Sequence, residues 1–333
     1  MFDVPLLLVL IVSMALFFDF TNGAHDCANA VSTIISTKVL SPQVAVIAAA
    51  VLNLIGAMLG TAVAKTLGGG IVLTSVIGQN QILVLAALVG AIVWNCITWY
   101  YGIPSSSSHA LVGGLIGACL ATAGPSALNI VGIVQKVIIP LVVAPVSGFC
   151  VGFVLLWLVY WLFHRAQRRT VRNIFQCTEF FTAGFLATSH GLNDAQKTMG
   201  IVTLALLIFG YVDTVEVPLW VKLACALAMS LGTAVGGWKI IRTMGTGIIK
   251  MEPVHGVSTE LSATIVITTA SMLGAPVSTT HVITSAIVGV GARKRFSMVR
   301  WGVARKLLVA WVVTLPASSL VGYFVCQLLM QIF

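Results

Sequence analysis

The feature that most restricts the fold is a stretch of nearly a hundred residues that is almost free of charge. Between Lys65 and Arg165 the only Asp, Glu, Lys or Arg is Lys136. Of the 333 residues, 59% are hydrophobic and 8% are charged, whereas soluble domains have about 25% charged residues. A bilayer can accommodate such a chain, because each spanning helix needs roughly 20 apolar residues. The sequence therefore predicts an all-α integral membrane protein.

The number of helices follows from the lengths of the apolar stretches. Several stretches are too long for a single crossing, so we expect about ten transmembrane helices plus two re-entrant helical hairpins. The first residues, Met1–Pro5, include no basic segment of a cleavable leader, and we expect the first helix to remain in the mature protein. The stretches are residues 4–21, 42–64, 81–101, 128–163, 174–212, 218–236, 257–273 and 301–333.

The net charge of +9 is concentrated in two short segments. Short basic loops next to apolar spans mark the cytoplasmic side of a membrane, so we interpret the charge as a topology signal and expect no nucleic-acid partner. The seven cysteines show no metal-ligand spacing, and we predict no metal site. The basic residues are Arg165, Arg168, Arg169 and Arg172 in one segment, and Arg293, Lys294, Arg295, Arg300, Arg305 and Lys306 in the other.

The chain contains an internal duplication. The segment that ends in Gly23-Ala24-His25-Asp26 aligns with His190-Gly191-Leu192-Asn193-Asp194, which pairs Asp26 with Asp194 at an offset of 168 residues. A second pair follows in the same order at an offset of 172, with Pro104 and His109 matching Pro276 and His281. Paired polar, Gly-interrupted segments of this kind are typical of transporters with two inverted repeats. We predict an N-terminal transmembrane repeat over 1–163, a basic cytoplasmic linker over 164–173 and a C-terminal transmembrane repeat over 174–333.

The two paired aspartates, Asp26 and Asp194, are the first candidate site residues. An ionised carboxylate inside a bilayer is costly unless it is paired, so it indicates function. The neighbouring Gly, Asn and His residues favour a broken helix, in which free backbone carbonyls join the carboxylates and the Asn22 amide in a site for a hard cation. The alternative is that both aspartates only cap helix starts. Their matching repeat positions favour cation coupling.

Two runs of hydroxyl residues follow prolines in the second motif pair. Proline favours the first turn of a helix, and the N–H groups and dipole of a helix start attract anions. Two such starts facing each other would enclose a tetrahedral oxyanion. The alternative is that small residues here only allow tight helix packing. The candidate oxyanion ligands are Ser105, Ser106, Ser107, Ser108, Ser278, Thr279 and Thr280.

Three further groups are proton carriers or structural residues. His109 and His281 close the two hydroxyl runs, where they could carry protons or hold the hairpins as neutral donors. Glu260, just upstream of the second run, is either a third intramembrane carboxylate or a helix-start residue. The residues leave these alternatives open.

At these four motifs the sequence resembles the PiT family of inorganic phosphate transporters, and the resemblance covers essentially the whole chain. It implies a phosphate–cation symporter with two inverted repeats and two re-entrant hairpins. It also implies that Asn29 and Asn193 bind phosphate beside Asp26 and Asp194, with the hydroxyl runs. The central linker of about ten residues is typical of the compact prokaryotic members.

Two residues depart from the family pattern. His25 stands where the signature often has Asn, and we group it with the proton-carrying or structural histidines. Lys197 stands where a second Asn is frequent, and it shares a helix face with Asp194. We hypothesise that the Lys197 ammonium partly replaces a coupled cation. The alternative is that it only neutralises Asp194 or extends to the membrane interface.

The sequence therefore predicts import of inorganic phosphate across the cell (inner) membrane by symport with a cation. The cation is a proton or sodium, or phosphate moves as a metal–phosphate complex. The alternative is a permease for another tetrahedral oxyanion such as sulfate. A hydrolase built on Ser108 and His109 is disfavoured, because adjacent helical residues point in different directions, so we expect no enzyme and no cofactor.

The oligomeric state stays open, with a homodimer as one option. The glycine-rich segment 230–250 is the candidate hinge.

Overall fold

The structure is a computed structural model that describes residues 5–67 and 81–332. Residues 1–4, on which the expectation about the N-terminus rests, lie outside this part. All regular structure in the described ranges is helical. The helices are α1 Leu6–Ser36, α2 Pro42–Met58, α3 Ala62–Leu67, α4 Ile82–Tyr101, α5 Ser107–Thr122, α6 Ile130–Ile133, α7 Ile139–Leu162, α8 Arg168–Ile208, α9 Leu219–Val235, α10 Trp238–Gly247, α11 Pro253–Met272, α12 Thr279–Lys294 and α13 Trp301–Ile332.

Four of the described helices are both long and apolar enough to cross a membrane, namely α1, α4, α7 and α13. A fifth crossing results if α9 and α10 count as one span, although they meet at a bend of 69°. This bend lies inside the predicted hinge segment, at Gly236, whose φ of +77° favours glycine. Length and composition thus support a membrane protein, but they do not confirm the count of about ten spans.

The polarity of the fold matches a lipid environment. Apolar side chains on α7 and α13, such as Val142, Leu162 and Val312, are exposed, while Asp26, Asp194 and many hydroxyl residues are buried. In hydrocarbon the outer surface can be apolar, whereas polar groups must find partners inside the protein. The interior of the bundle therefore contains the candidate site.

The expectation of broken helices at the two aspartates is wrong. Asp26 lies inside the uninterrupted α1 and Asp194 inside the uninterrupted, 41-residue α8. The backbone of these segments remains helical because the carboxylates find their partners among side chains, as described below. Backbone carbonyls are therefore not freed to bind a cation there.

The second motif pair folds into two equivalent helix–turn–helix units, which we call the first hairpin (α4 and α5) and the second hairpin (α11 and α12). Helix α4 is followed by Gly102 and α11 by Gly274, and both glycines are left-handed, with φ of 68° and 69°. Each turn leads through a proline to a 16-residue helix, α5 or α12. The N-cap residues Ser106 and Ser278 each accept a hydrogen bond from the backbone N–H three residues on. The duplication is thus present in the backbone geometry as well as in the sequence.

The two halves of the chain pack by exchanging helices. Helix α5 of the first half packs on α13 of the second, and α12 of the second packs on α7 of the first. In the same way α1 packs on α9 and α2 packs on α8. Helix α7 ends at Leu162 and α8 begins at Arg168, so the second half of the predicted linker is helical. Each half of the chain therefore completes the core of the other.

Close packing of α2 on α8 depends on glycine. A Cβ at Gly56 would clash with the carbonyl oxygen of Thr188, whereas a Cβ at Gly184, on the same helix pair, would make an ordinary contact of 3.6 Å with Leu52. We predict that Gly56→Ala destabilises the protein by about 1–3 kcal/mol, because the helices must separate. Thermal unfolding of the purified protein should show a lower Tm for Gly56→Ala. Gly184→Ala is the matched control and should leave Tm unchanged or raise it, since alanine favours helix.

Candidate functional site

The two repeated aspartates meet in the centre of the bundle, although they are 168 residues apart in the chain. Helices α1 and α8 pack against each other, and both carboxylates are buried. One ligand atom each from Asp26, His190 and Asp194 lies within 4.8 Å of the others. Two carboxylates and an imidazole at this separation can bind one cation together, so the site includes a geometry suited to a metal ion although none was predicted from sequence.

Asp26 is bound by groups from both hairpins. Its Oδ2 accepts a hydrogen bond of 3.0 Å from Ser107, and its Oδ1 accepts one of 3.4 Å from Thr280. Nδ1 of His25 lies 2.7 Å from Oδ1, and because a carboxylate only accepts, this nitrogen donates. The other ring nitrogen, Nε2, lies 3.0 Å from Thr98 Oγ1 and 3.3 Å from Ser105 Oγ. His25 thus connects Asp26 to the first hairpin.

Asp194 is bound by two potential cations and a hydroxyl. The Lys197 ammonium lies 2.5 Å from Oδ1, and His190 Nε2 lies 3.1 Å from Oδ2. Thr279 donates to Oδ2 at 2.9 Å. The opposite nitrogen of His190, Nδ1, is 3.1 Å from the amide oxygen of Asn53. All of these side chains are buried, and pairing together with hydrogen bonding is what makes burial of a carboxylate tolerable.

Asn29 connects the start of α12 to α1. Its amide nitrogen donates to Thr279 at 3.2 Å and to Thr280 at 2.9 Å. The other two asparagines are less engaged. Asn193 donates to Ser271 at 2.8 Å, but its amide oxygen has no partner among the described residues. Both amide atoms of Asn22 are buried without a partner there, so they could ligate an ion or a small anion.

The remaining hairpin residues cap helices, hydrogen-bond to neighbouring side chains, are buried at a helix start or stack on aromatic rings. Ser106 and Ser278 cap α5 and α12, Ser105 donates to Thr98 at 2.9 Å, and Ser108 is buried at the start of α5. The rings of His109 and His281 lie 4.9 Å apart, and His281 stacks on Trp311 at 4.0 Å. Neither ring nitrogen of His281 has a hydrogen-bond partner in the described part of the chain. Stacking therefore holds this histidine in place.

Glu260 lies in a second buried acidic cluster. It is in the interior of α11 and fully buried, so it is not a helix-start residue; that position belongs to Glu252. Its carboxylate accepts from Thr33 at 2.6 Å and from Thr182. Glu179 is buried on α8, one turn before Thr182, and accepts a hydrogen bond of 2.7 Å from Thr37. This cluster lies towards the C-terminal end of α1, separate from the contacts of Asp26.

Two buried residues near the site, Asp19 and His190, are not among the candidate site residues predicted from the sequence. Asp19 is fully buried beside Thr198 and Cys225, and neither of its carboxylate oxygens makes a hydrogen bond of regular geometry to a described residue. The spacing of Asp19, Asn22, Asp26 and Asn29 is 3, 4 and 3, which places them on one helix face, so periodicity could have identified Asp19. His190 pairs with Asn22 at the repeat offset of 168, and the duplication could have identified it.

The site combines neutral donors with buried carboxylates. Hydroxyl groups from two helix starts contact Asp26 and Asp194, and within residues 5–67 and 81–332 no arginine contacts either aspartate. Such a set can bind an anion through hydrogen bonds and a cation through the carboxylates.

Comparison with known proteins identifies the family. Residues 22–322 match the model of a family described as the phosphate transporter family. The chain belongs to this family. A probable low-affinity inorganic phosphate transporter of Bacillus subtilis is 47% identical over 98% of this chain and 99% of its own length. A protein of the same description from Rhizobium meliloti is 47% identical over 97% of each chain, and a putative phosphate permease of Thermococcus kodakarensis is 26% identical over 98% of each.

A solved structure has the same fold as this chain. It is described as the sodium-dependent phosphate transporter and matches with a TM-score of 0.90 over 99% of this chain and 100% of its own, at 24% sequence identity. The family model and the relatives confirm the family resemblance read from the four motifs. The roles of individual site residues stay predictions.

The Lys197–Asp194 pair gives a test of the site geometry. We predict that Lys197→Met lowers the free energy of unfolding by about 3–5 kcal/mol, because it leaves a buried carboxylate without its cation. The double variant Lys197→Met/Asp194→Asn should recover part of this loss. Thermal unfolding of the three variants and the parent protein measures the coupling. Additive losses would show that the two side chains do not form a buried pair.

Proposed function

We propose that this protein moves inorganic phosphate across the cell membrane by symport with a cation. The observation that carries the proposal is the convergence of both helix starts on the two buried aspartates: Ser107 and Thr280 on Asp26, and Thr279 on Asp194. The same hydroxyls that bind the carboxylates can turn to a tetrahedral anion. Asn29 and Asn193 complete the proposed phosphate ligands.

The charges of the site favour coupled binding of anion and cation. Two carboxylates about 5 Å apart repel each other by roughly 3 kcal/mol at an effective dielectric constant of 20. The Lys197 ammonium neutralises one of them, and a phosphate anion added to the remaining negative charge would be repelled. A bound cation removes this repulsion, so each ion favours binding of the other. This reciprocal coupling is the physical basis of symport.

The relatives support phosphate as the substrate. Those from Bacillus subtilis and Rhizobium meliloti are described as inorganic phosphate transporters, and the solved relative as a sodium-dependent one. Sulfate is the alternative tetrahedral anion. A divalent metal is a further candidate for the cation, because Asp26, His190 and Asp194 present ligand atoms within 4.8 Å; phosphate would then enter as a metal complex.

Transport in proteoliposomes tests the proposal. We predict phosphate uptake driven by an imposed sodium or proton gradient, competed by arsenate and not by sulfate. Asp26→Asn and Asp194→Asn should abolish gradient-driven uptake, because they remove the charge to which the cation binds. Ser230→Ala, on α9 and hydrogen-bonded to the backbone of α2, is the matched control and should transport as the parent protein does.

The possible outcomes separate the candidates. Uptake in only one of the two gradients names the coupled ion, and uptake that requires an added divalent metal identifies a metal–phosphate complex. Competition by sulfate equal to that by arsenate would shift the substrate to another oxyanion. Absence of uptake under all of these conditions contradicts the proposal.

The Lys197 ammonium has its own test. Since Lys197 lies against Asp194 where a cation would otherwise bind, we predict that Lys197→Asn increases the number of cations moved per phosphate. Lys197→Arg keeps the positive charge and serves as the control. Cation and phosphate fluxes measured together give the ratio. An unchanged ratio and unchanged cation dependence in Lys197→Asn would show that Lys197 only neutralises Asp194.

A further inference from the structure

A groove of about 500 Å³ lies on the surface beside the first hairpin, outside the buried site. Lys239 and Arg242 of α10 line one wall, and Arg300, just before α13, lines another. The hydroxyls of Thr243 and Thr246 and the ring of Tyr101 complete it. We call this feature the basic groove.

The basic groove is the cationic face of a short amphipathic helix. Lys239, Arg242, Thr243 and Thr246 follow the spacing of one helix face, and all but the half-buried Thr243 are exposed. The opposite face of α10, including Ile240 and Met244, is buried. With this distribution, the charged side chains of α10 line the groove and its apolar side chains pack into the interior of the protein.

The cations of the basic groove are positioned but not neutralised. Arg300 donates to the carbonyl oxygen of Thr246 at 3.2 Å, and Lys239 donates to that of Tyr100 at 2.8 Å while lying 4.5 Å from the ring of Tyr100. Within residues 5–67 and 81–332, no carboxylate lines the groove or pairs with Lys239, Arg242 or Arg300. Three positive charges, two of them held in place, without a counter-ion in this part of the chain favour an anionic ligand.

We propose that the basic groove binds the phosphate group of an anion, with Lys239, Arg242 and Arg300 as its ligands. Lysine and arginine are the residues that bind phosphate oxygens, and the threonine hydroxyls can add donors. The phosphate belongs either to the headgroup of an anionic lipid or to free inorganic phosphate. Basic pockets between membrane helices suit such headgroups, and the exposed Trp238, Tyr100 and Tyr101 are residues enriched at membrane interfaces.

An occupant of the basic groove would act directly on the hairpin. Thr243 donates to the carbonyl oxygen of Gly102 at 3.0 Å, and the Lys239 side chain packs against Gly102. Gly102 is the left-handed residue that ends α4, and Ser105 of the buried site follows three residues later. Binding in the groove therefore stabilises one position of the turn that presents the hydroxyl run.

Binding measurements on the purified protein test this inference without requiring transport. The probes are a short-chain phosphatidylglycerol, with phosphatidylcholine as its zwitterionic control, and radiolabelled inorganic phosphate. The variant is Lys239→Gln/Arg242→Gln/Arg300→Gln. The matched control is Arg165→Gln/Arg168→Gln/Arg169→Gln, which removes three exposed charges from the central linker. Lys239→Arg/Arg242→Lys/Arg300→Lys keeps the groove charge if the neutral variant does not fold.

Two outcomes support the proposal and name the source of the phosphate. For a lipid, phosphatidylglycerol raises the Tm of the parent protein, the linker control and the charge-retaining variant, and this shift is lost in the groove variant. For free phosphate, the parent protein binds a second phosphate per chain with lower affinity, and the groove variant loses it. If the groove variant and the linker control respond equally to both probes, the cations are interfacial charges and the proposal is wrong.

Discussion

The structure depends on the burial of two carboxylates, and one of them, Asp26, is bound by groups from both halves of the chain. Asp26 on α1 accepts hydrogen bonds from Ser107 of the first hairpin and Thr280 of the second. Asp194 on α8 accepts from Thr279 and lies against Lys197. Because an unpaired charge in a membrane interior is costly, these contacts require that both helix starts point at the same centre. The exchange of helices between the two halves of the chain provides this arrangement.

The arrangement also explains why the helices at the centre remain intact. A broken helix exposes backbone carbonyls as ligands, but it is favourable only where those groups find new partners. Here side chains supply the ligands, and α1 and α8 run through the site without interruption. A rigid pair of helices with polar faces then holds the carboxylates, while the glycine turns at Gly102 and Gly274 present the hydroxyls. Movement is expected at the turns rather than in the helices.

The sequence predicted the class of fold and named most of the residues that meet around Asp26 and Asp194, since both follow from local chemistry. The charge-poor stretch required a membrane, and the two motif pairs revealed the duplication and the repeated polar segments. It did not predict a place for Asp19 in the site, nor the basic groove, whose cations come from α10 and from the residue before α13. It also left open whether Glu260 begins a helix or lies inside one. These features depend on which helices are neighbours.

The sequence by itself determined that this protein is helical, lies in a membrane, is duplicated and belongs to the phosphate transporter family. These properties are encoded in composition and in spacing along the chain. Only the tertiary structure decided that Asp26 and Asp194 face each other, that Asn29 donates to Thr279 and Thr280, and that the two halves of the chain exchange helices. Such contacts join residues more than 80 positions apart, and helix packing, for which the sequence offers no local signal, brings them together.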